Sequence, residues 1–116
     1  MADLLVDTDV FIDHLRGARR FRPRRDRILY SVVTRCELFG GRGTNEDVVR
    51  ALLAPFVEIP IDRDIAEAAG RLRRETHVST ADALIAAMAL HSEAAVLTRN
   101  RRDFERIPGL RLRTPR

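Results

Sequence analysis

The sequence predicts an α/β domain with a mostly parallel β-sheet, and two patterns lead to that fold class. Short apolar runs alternate with stretches of helical periodicity, which is the order produced when each strand is followed by a crossover helix. The first run, at residues 4–6, is apolar throughout, as is typical of a strand buried on both faces. Functional groups are therefore expected where the strands end, because ligands bind at the carboxyl ends of the strands in such sheets.

The first strand passes directly into a helix. Thr8 and Asp9 supply two N-cap candidates for a helix over residues 10–15. Because these two residues are able to cap the helix, Asp7 has little structural role left at the end of the strand. An arginine-rich loop at residues 16–27 follows and is expected to face water.

Strands and helices continue to alternate through the rest of the chain. A second strand at residues 28–30 leads to a helix over residues 32–39, with Ser31 as its N-cap and two glycines at its end. Residues 83–90 are all apolar, which predicts a buried helix that begins at Ser79. The other predicted elements are helices over 44–53 and 62–76, strands over 57–61, 95–98 and 110–112, and a helical turn within 99–107.

Composition limits the class of protein. All 21 basic residues are arginine, and with 17 acidic residues they give a formal charge of +4. No apolar run approaches the roughly 18 residues of a membrane helix, and the amino terminus lacks the basic segment of a signal peptide, so we expect a cytoplasmic protein without a membrane partner. The single cysteine, Cys36, excludes an internal disulfide and a cysteine-based zinc site. We expect one domain over residues 1–116, held together by packing.

Two acidic residues of the first half of the chain are candidates for one site. Asp7 ends the first strand, and the alternative interpretation is that it caps the following helix. Glu37 lies one turn beyond Val33 at the border of its helix's apolar face, so its side chain either enters a cleft or extends into water. The predicted apolar face of that helix consists of Val32, Val33, Cys36 and Phe39.

Asp82 is the third acidic candidate. Ser79 and Asp82 fit a capping box, and this structural role alone would explain an acid at that position. Asp82 nevertheless shares a face with Ala86 and Ala89 at the head of a helix that is expected to be buried. A carboxylate in such a place costs several kcal/mol unless it is paired or bound to a metal, which favours a functional role.

Oxygen ligands also follow the fourth predicted strand. Asn100 and Asp103 both stand there, and a plain turn is the alternative. Three or four hard oxygen ligands suit Mg²⁺ or Mn²⁺, whereas zinc would prefer histidine or cysteine. The histidines show no spacing typical of a metal site: His14, His77 and His91. Clustered carboxylates repel one another, so a divalent cation is expected among them.

Two other classes with an acidic site are excluded by the absence of lysine. The Asp7 and Asp9 pair after an apolar strand is also found in haloacid-dehalogenase-type phosphatases, and an acidic pocket suits a response-regulator receiver. Both classes need a lysine in the site, and this chain has none. A phosphate-binding loop that ends in Gly-Lys is absent as well, so nucleotide hydrolysis of that type is excluded.

Four segments together resemble the PIN-domain ribonucleases, and more narrowly the VapC toxins of bacterial toxin and antitoxin pairs. These segments are residues 4–13, 31–38, 79–87 and 96–104. The resemblance implies a three-layer α/β/α domain with a five-stranded sheet in which the first and fourth strands are adjacent. It implies a Mg²⁺- or Mn²⁺-dependent endoribonuclease that cleaves RNA phosphodiester bonds with a metal-activated water. The alternative is a catalytically degenerate PIN-like module that binds RNA or a protein partner.

The resemblance also implies roles for individual residues. The implied catalytic residues are Asp7, Glu37, Asp82 and Asp103, and the first three are the implied metal ligands. Candidates for the fourth position, or for support of the carboxylates, are Asn100, Thr8, Asp9 and Thr98. Asn100 stands where the family usually has its fourth acid, and Asp9 stands where the family usually has asparagine.

Arginines and partners complete the expectations. Arginines on both sides of the acidic site are expected to contact RNA phosphates without reading bases, although a solvated basic surface is the alternative. The RNA-binding candidates are Arg16, Arg19, Arg20, Arg99 and Arg101. By resemblance, the partners are an RNA substrate, a VapB-like antitoxin that lays a helix into an apolar groove, and a second copy of the chain in a homodimer within a larger toxin and antitoxin assembly.

Overall fold

The computed structural model describes residues 2–115, and in that range strands and helices alternate as predicted. The strands are β1 (Asp3–Val6), β2 (Arg27–Ser31), β3 (Val57–Ile59), β4 (Ala95–Leu97) and β5 (Leu112–Arg113). The helices are α1 (Thr8–Leu15), α2 (Val32–Phe39), α3 (Glu46–Leu53), α4 (Arg63–Thr76), α5 (Thr80–His91) and α6 (Arg101–Phe104).

The five strands form one parallel sheet in the order β3-β2-β1-β4-β5. In the central register, Leu5 of β1 pairs with Leu29 of β2 on one side and with Val96 of β4 on the other. The predicted parallel sheet is confirmed, as is the adjacency of its first and fourth strands. The carboxyl ends of β1 and β4 therefore lie side by side.

Apolar side chains alternate between the two faces of the sheet and build a core on each. Leu5 and its neighbours in β2 and β4 pack with α4 and α5, whereas Leu4, Val6 and Tyr30 pack with α1, α2 and α3. The three-layer α/β/α arrangement is confirmed. Helix α5 is buried over Ile85–Ala89, but Leu90 at its end is 38% exposed, so the predicted burial stops one residue early.

An aromatic cluster ties the arginine-rich loop to the core. The Phe11 ring is fully buried, and its centroid lies 5.5 Å from that of Phe21 and 6.2 Å from that of Phe56. The backbone N–H of Phe21 also donates to Nδ1 of His14 at 3.0 Å. The loop between α1 and β2 is thus fixed at Phe21, while its six arginines, and Arg27 at the start of β2, are exposed as predicted.

Several element ends differ from the sequence prediction for local reasons. Helix α3 begins two residues late because the hydroxyl of Thr44 bonds back to the preceding turn, and Asn45 is the residue whose side chain accepts from Val48 N. Strand β3 ends at Ile59, since Pro60 has no N–H to donate to a ladder. Strand β5 begins two residues later than predicted.

The predicted apolar face of α2 is wrong. Cys36 is exposed, and the residues of α2 that are buried are Thr34 and Leu38. The helix lies against α1 at the end of the sheet, where a buried polar contact between helices replaces the expected apolar stripe. Thr34 thereby becomes part of the polar network described below.

The amino terminus of α4 supports a first prediction. Asp62 is the N-cap, and its Oδ1 accepts from Ile65 N at 2.8 Å. We expect Asp62→Ala to lower the free energy of unfolding by about 1 kcal/mol, because one helix-terminal N–H loses its acceptor. Urea denaturation measures this loss. Glu67→Ala, an exposed change within the same helix, is the control and should change stability little; equal effects of the two changes would contradict the capping role.

No helix between residues 2 and 115 is both long enough and apolar enough to cross a membrane.

Candidate active site

Asp7 lies at the centre of a polar cluster where β1 and β4 end. Its side chain is 7% exposed, its Oδ1 accepts from Thr8 N at 2.8 Å, and its Oδ2 accepts from the Thr98 hydroxyl at 2.8 Å. Asp7 is also the N-cap of α1, so the expectation that Thr8 and Asp9 cap this helix is wrong. The extended backbone of Asp7 places its carboxylate next to the first free N–H of the helix.

Burial makes Asp7 an unusual carboxyl group. Removal from water, together with the nearby negative charges of Asp9 and Asp82, raises the pKa of Asp7 to about 7. Hydrogen bonds from Thr98 and from the backbone of Thr8 oppose this rise, because they favour the ionised form. Near neutral pH, Asp7 therefore exchanges readily between its protonated and ionised forms.

Asp9 stands beside Asp7 with one oxygen satisfied and one free. Its Oδ2 accepts from Arg99 N at 3.1 Å, whereas its Oδ1 is buried and has no hydrogen-bond partner among the described residues. Burial raises the pKa of Asp9, and contacts with Arg99 oppose the rise. A buried carboxylate oxygen without a partner is an available acceptor for a cation or a water.

A chain of hydroxyl groups orients Glu37 from the interior. The Thr8 hydroxyl donates to Oε1 of Glu37 at 2.7 Å and lies 2.9 Å from the hydroxyl of Thr34. Because Thr8 has one hydroxyl proton and gives it to Glu37, Thr34 is the donor in the second bond. Thr34 is fully buried, so this chain connects the exposed Glu37 to a rigid part of the core.

Asp82 enters the same cluster from the head of α5. Its backbone N–H is capped by the Ser79 Oγ at 3.1 Å, as the capping-box pattern predicts. Burial raises the pKa of Asp82, the bond to Ser79 opposes this, and the charges of Asp103, Glu37 and Asp9 add to the rise. The capping interpretation therefore accounts for Ser79, while the carboxylate of Asp82 faces other acids.

Asn100 and Asp103 form one unit after β4. Nδ2 of Asn100 donates to Oδ2 of Asp103 at 2.7 Å, and Asn100 N donates to the Thr98 Oγ at 2.9 Å. The amide of Asn100 thus fixes the carboxylate of Asp103, and which of the two completes the site stays a prediction. The structure brings together all the predicted acidic and supporting residues: Asp7, Thr8, Asp9, Glu37, Asp82, Thr98, Asn100 and Asp103.

The donor set fits a hard divalent cation. The acidic groups of the cluster are all carboxylates, the ligand type that Mg²⁺ and Mn²⁺ prefer, and Oδ1 of Asp9 is a buried acceptor without a partner among the described residues. Among residues 2–115, no three acidic, histidine or cysteine side chains are already arranged to hold one ion. Metal binding therefore requires rotation of carboxylate side chains toward a shared point.

The predicted RNA-binding arginines separate into three environments. Arg19, Arg20 and Arg101 line a groove beside the acidic cluster, whereas Arg16 lines a different groove next to Glu37. Arg99 is engaged inside the site, since its Nε lies 2.6 Å from Oδ2 of Asp13.

Two residues of the network were missed by the sequence analysis. Thr34 and Asp13 have no signal of their own in the sequence and lie only within the segments 31–38 and 4–13 that carry the family resemblance. Thr34 lies four residues before Leu38, so both are on the same face of α2. A buried face of α2 that is centred on Leu38 would therefore include Thr34. Asp13 gave no separate signal, because its partner Arg99 is distant in the sequence.

Comparisons with known proteins identify the family to which this α/β sheet, with acidic groups from four segments at one edge, belongs. The profile of the PIN domain matches residues 4–110. Ribonuclease VapC19 of Mycobacterium tuberculosis is 33% identical over 91% of this chain and 95% of its own length. The tRNA(fMet)-specific endonuclease VapC of Salmonella typhimurium is 30% identical over 97% of both chains.

A solved structure of DNA-bound VapBC from Salmonella typhimurium shares the fold, with a TM-score of 0.83 and 27% identity over 98% of both chains. The chain described here therefore belongs to the PIN-domain family and, within it, to the VapC proteins.

Proposed function

We propose that this chain is a Mg²⁺- or Mn²⁺-dependent endoribonuclease and the toxin of a toxin and antitoxin pair. The observation that carries the proposal is the convergence of Asp7, Glu37, Asp82 and Asp103 at the carboxyl edge of the sheet, around a group whose pKa is about 7. Perturbed carboxyl groups that raise one another's pKa are typical of catalytic sites. The names of the similar VapC proteins support cleavage of RNA.

In this proposal, Asp7 and Asp82 hold the cation with help from Glu37. A bound Mg²⁺ or Mn²⁺ would supply a Lewis acid for a phosphodiester oxygen and a water of lowered pKa. The chain contributes orientation, because Thr98 and Thr8 fix the two oxygens of Asp7. Glu37, held by Thr8, accepts a hydrogen bond from the attacking water and aligns it with the phosphorus atom.

Asp103 and Asp13 complete the electrostatics of the proposed site. Asp103 is fixed by Asn100 and adds negative charge that attracts a divalent cation. Arg99 supplies the positive charge beside Asp9, since its backbone N–H bonds to Asp9 and its guanidinium, which is paired with Asp13, opposes the rise in the pKa of Asp9. This arrangement partly balances the carboxylates in the folded chain.

The proposed protein partner is a small antitoxin. The apolar groove between α1 and α3 contains Leu15 and Val48, which are 36% and 49% exposed, and Glu37 stands at its margin. An amphipathic helix with a basic side chain near one end would cover the apolar residues and place its charge against the acidic cluster. Similar solved structures include a toxin-antitoxin complex and a DNA-bound VapBC, which supports such a partner. A homodimer remains a prediction.

RNA cleavage by the purified chain tests the proposed function. We expect a mixture of cellular RNAs to be cut at discrete positions when Mg²⁺ or Mn²⁺ is present, and to remain intact with a chelator. The protein must be freed of any bound antitoxin before the assay. Intact RNA under all metal conditions, with a folded protein, would sink the enzymatic proposal and favour a binding module.

The hydroxyl chain behind Glu37 supports a second prediction. We expect Thr34→Val to lower kcat about 3- to 10-fold, because loss of one hydrogen bond of about 1 kcal/mol loosens the orientation of Glu37 through Thr8. The KM for RNA should change little, since Thr34 is buried and touches no substrate. Thr34→Ser is the matched control and should restore cleavage; a valine variant with wild-type kcat would contradict the role of the chain.

A further inference from the structure

Six arginines from three separate segments line one groove beside the acidic cluster. The groove has a volume of about 430 Å³ and lies between the loop after α1, helix α6 and the end of the chain at residues 112–115. We call it the arginine groove and define it by Arg19, Arg20, Arg22, Arg24, Arg101 and Arg113. Asp26 is its one acidic lining residue, and Oδ1 of Asp26 accepts from the backbone of Ala2 at 3.1 Å.

Most of these guanidinium groups are available to a ligand. Arg20, Arg22, Arg24 and Arg113 form no ion pair with a carboxylate of residues 2–115. Arg101 is 3.6 Å from Glu105, an exposed and weak pair. Six positive charges that converge on a concave surface with one acidic lining residue repel one another, so an anionic ligand is favoured there.

The loop presents its arginines from a rigid support. Phe21 is anchored in the aromatic cluster, which holds Arg20 and Arg22 on either side of it. Arg24 adopts a left-handed backbone with φ of 54°, an uncommon conformation for a residue with a side chain. A loop that is fixed in this way loses little conformational entropy when it binds a ligand.

The charge of the groove indicates the kind of ligand. Its apolar floor of Leu4, Val10, Ile28 and Leu97 is only 3% to 8% exposed, and every basic group in its lining is a guanidinium. Partly exposed apolar groups of Phe21, Pro23 and Leu112 lie beside these guanidinium groups. Arginine is well suited to bidentate contacts with phosphate oxygens.

The position of the groove connects it to the acidic cluster. Val10 and Leu97 line the groove, and they are the chain neighbours of Asp9 and Thr98 in the cluster. A polyanion whose reacting phosphate lies among the carboxylates must place its neighbouring phosphates nearby, where the carboxylates would repel them. The arginine groove is the adjoining surface that neutralises such phosphates.

We propose that the arginine groove binds the phosphate backbone of a single RNA strand on one side of the bond that is cleaved. This inference rests on the proposed function, and it adds Arg22, Arg24 and Arg113 to the residues expected from the sequence. Arg99 is assigned to the acidic cluster instead, because Asp13 and Asp9 engage it. Arg16 lies outside the groove.

A binding assay on a matched pair of variants tests the groove. Both are made in the Asp7→Asn protein so that bound RNA is not cut, and the probe is a fluorescent oligouridylate measured by anisotropy with a chelator present. The groove variant carries Arg20→Gln, Arg22→Gln and Arg24→Gln. The control carries Arg63→Gln, Arg71→Gln and Arg74→Gln on exposed positions of α4, across the sheet, and so has the same net charge.

We expect the groove variant to bind the probe at least about tenfold more weakly, with a salt slope that is lower by roughly 2, since each phosphate contact on a single strand contributes about 0.7 to that slope. The control should bind like its parent. Equal weakening of both variants, or no weakening of the groove variant, overturns the proposal. Displacement of the probe by polyglutamate as efficiently as by unlabelled RNA also overturns it, in favour of an acidic peptide as the ligand.

Cleavage is scored separately in the protein with Asp7 intact. If the wild-type protein cuts RNA and the three arginine substitutions, introduced with Asp7 intact, leave the KM for RNA unchanged, the groove proposal is wrong while the nuclease proposal stands. If it cuts no RNA but the binding difference is present, the nuclease proposal is wrong while the groove stands. Circular dichroism spectra of all variants should match, since every substituted arginine is exposed.

Discussion

Asp7→Asn is expected to abolish RNA cleavage and, in the absence of metal, to make the protein more stable. The rate should fall at least about 100-fold, because the substitution removes the charge that holds the cation and costs several kcal/mol of transition-state stabilisation. The fold should tolerate the change. The asparagine Oδ1 is able to accept from Thr8 N, and its Nδ2 faces Thr98, whose proton then turns toward Asp9.

The gain in stability follows from the raised pKa of Asp7. The folded chain binds this proton with a pKa of about 7, whereas the unfolded chain binds it with the model-peptide value of 3.8. Between these values the folded state holds more protons than the unfolded state, so the stability of the wild-type protein falls as the pH rises toward 7 and stays low above it. Asparagine carries no such penalty, and we expect a gain of about 2 to 4 kcal/mol above pH 7.

Urea denaturation with a chelator measures this gain at several pH values. The difference between wild type and Asp7→Asn should be largest above about pH 7 and narrow as the pH falls toward 5. Glu67→Gln is the control, because it also removes one carboxylate but from an exposed position on α4. An Asp7→Asn protein that is no more stable than wild type at high pH contradicts the buried charge, and one that cleaves RNA normally contradicts the active site.

Metal affinity is expected to depend strongly on pH below neutrality. A cation needs the ionised form of Asp7, so below a pH of about 7 each bound ion must displace a proton. The apparent Kd for Mn²⁺ should weaken by up to about tenfold for each unit by which the pH falls below that value, and level off above it. The cleavage rate at limiting metal should follow the same profile.

Thermal unfolding in a Mn²⁺ titration measures this affinity, because a ligand that binds the folded state raises Tm. The Asp7→Asn protein is the reference and should show little Mn²⁺-dependent shift at any pH. An apparent Kd for Mn²⁺ that is constant between about pH 5.5 and 7.5 would mean that the metal does not displace a proton from Asp7. That result would argue for a different set of ligands.

The sequence was sufficient for the fold because its local signals agree with one another. A wholly apolar run before Asp7, the Ser79 cap and the uniform apolar character of α5 each specify one element, and the parallel order follows from their alternation. The acidic cluster followed from the same logic, because residues at the ends of adjacent parallel strands must meet.

Contacts between residues that are far apart in the sequence could not be predicted from these local signals. The hydroxyl of Thr34 bonds to that of Thr8, which is 26 positions away in the sequence. Burial of a threonine in α2 cannot be predicted unless this hydrogen-bond partner is known. The pairing of Asp13 with Arg99 is hidden in the same way. The N-cap of α1 is Asp7 and not Thr8 or Asp9. Residue type alone makes all three suitable, and only the extended backbone at Asp7 identifies the cap.

The sheet ends on both sides in very short strands. Three residues of β3 are followed by Pro60, and β5 comprises Leu112 and Arg113 only. Such borders leave few free backbone groups for another chain to pair with, and a proline or an arginine at the margin further discourages strand addition. Continuous sheets that extend from one molecule to the next are therefore disfavoured, and helix surfaces are the more favourable place for two copies of this protein to pair.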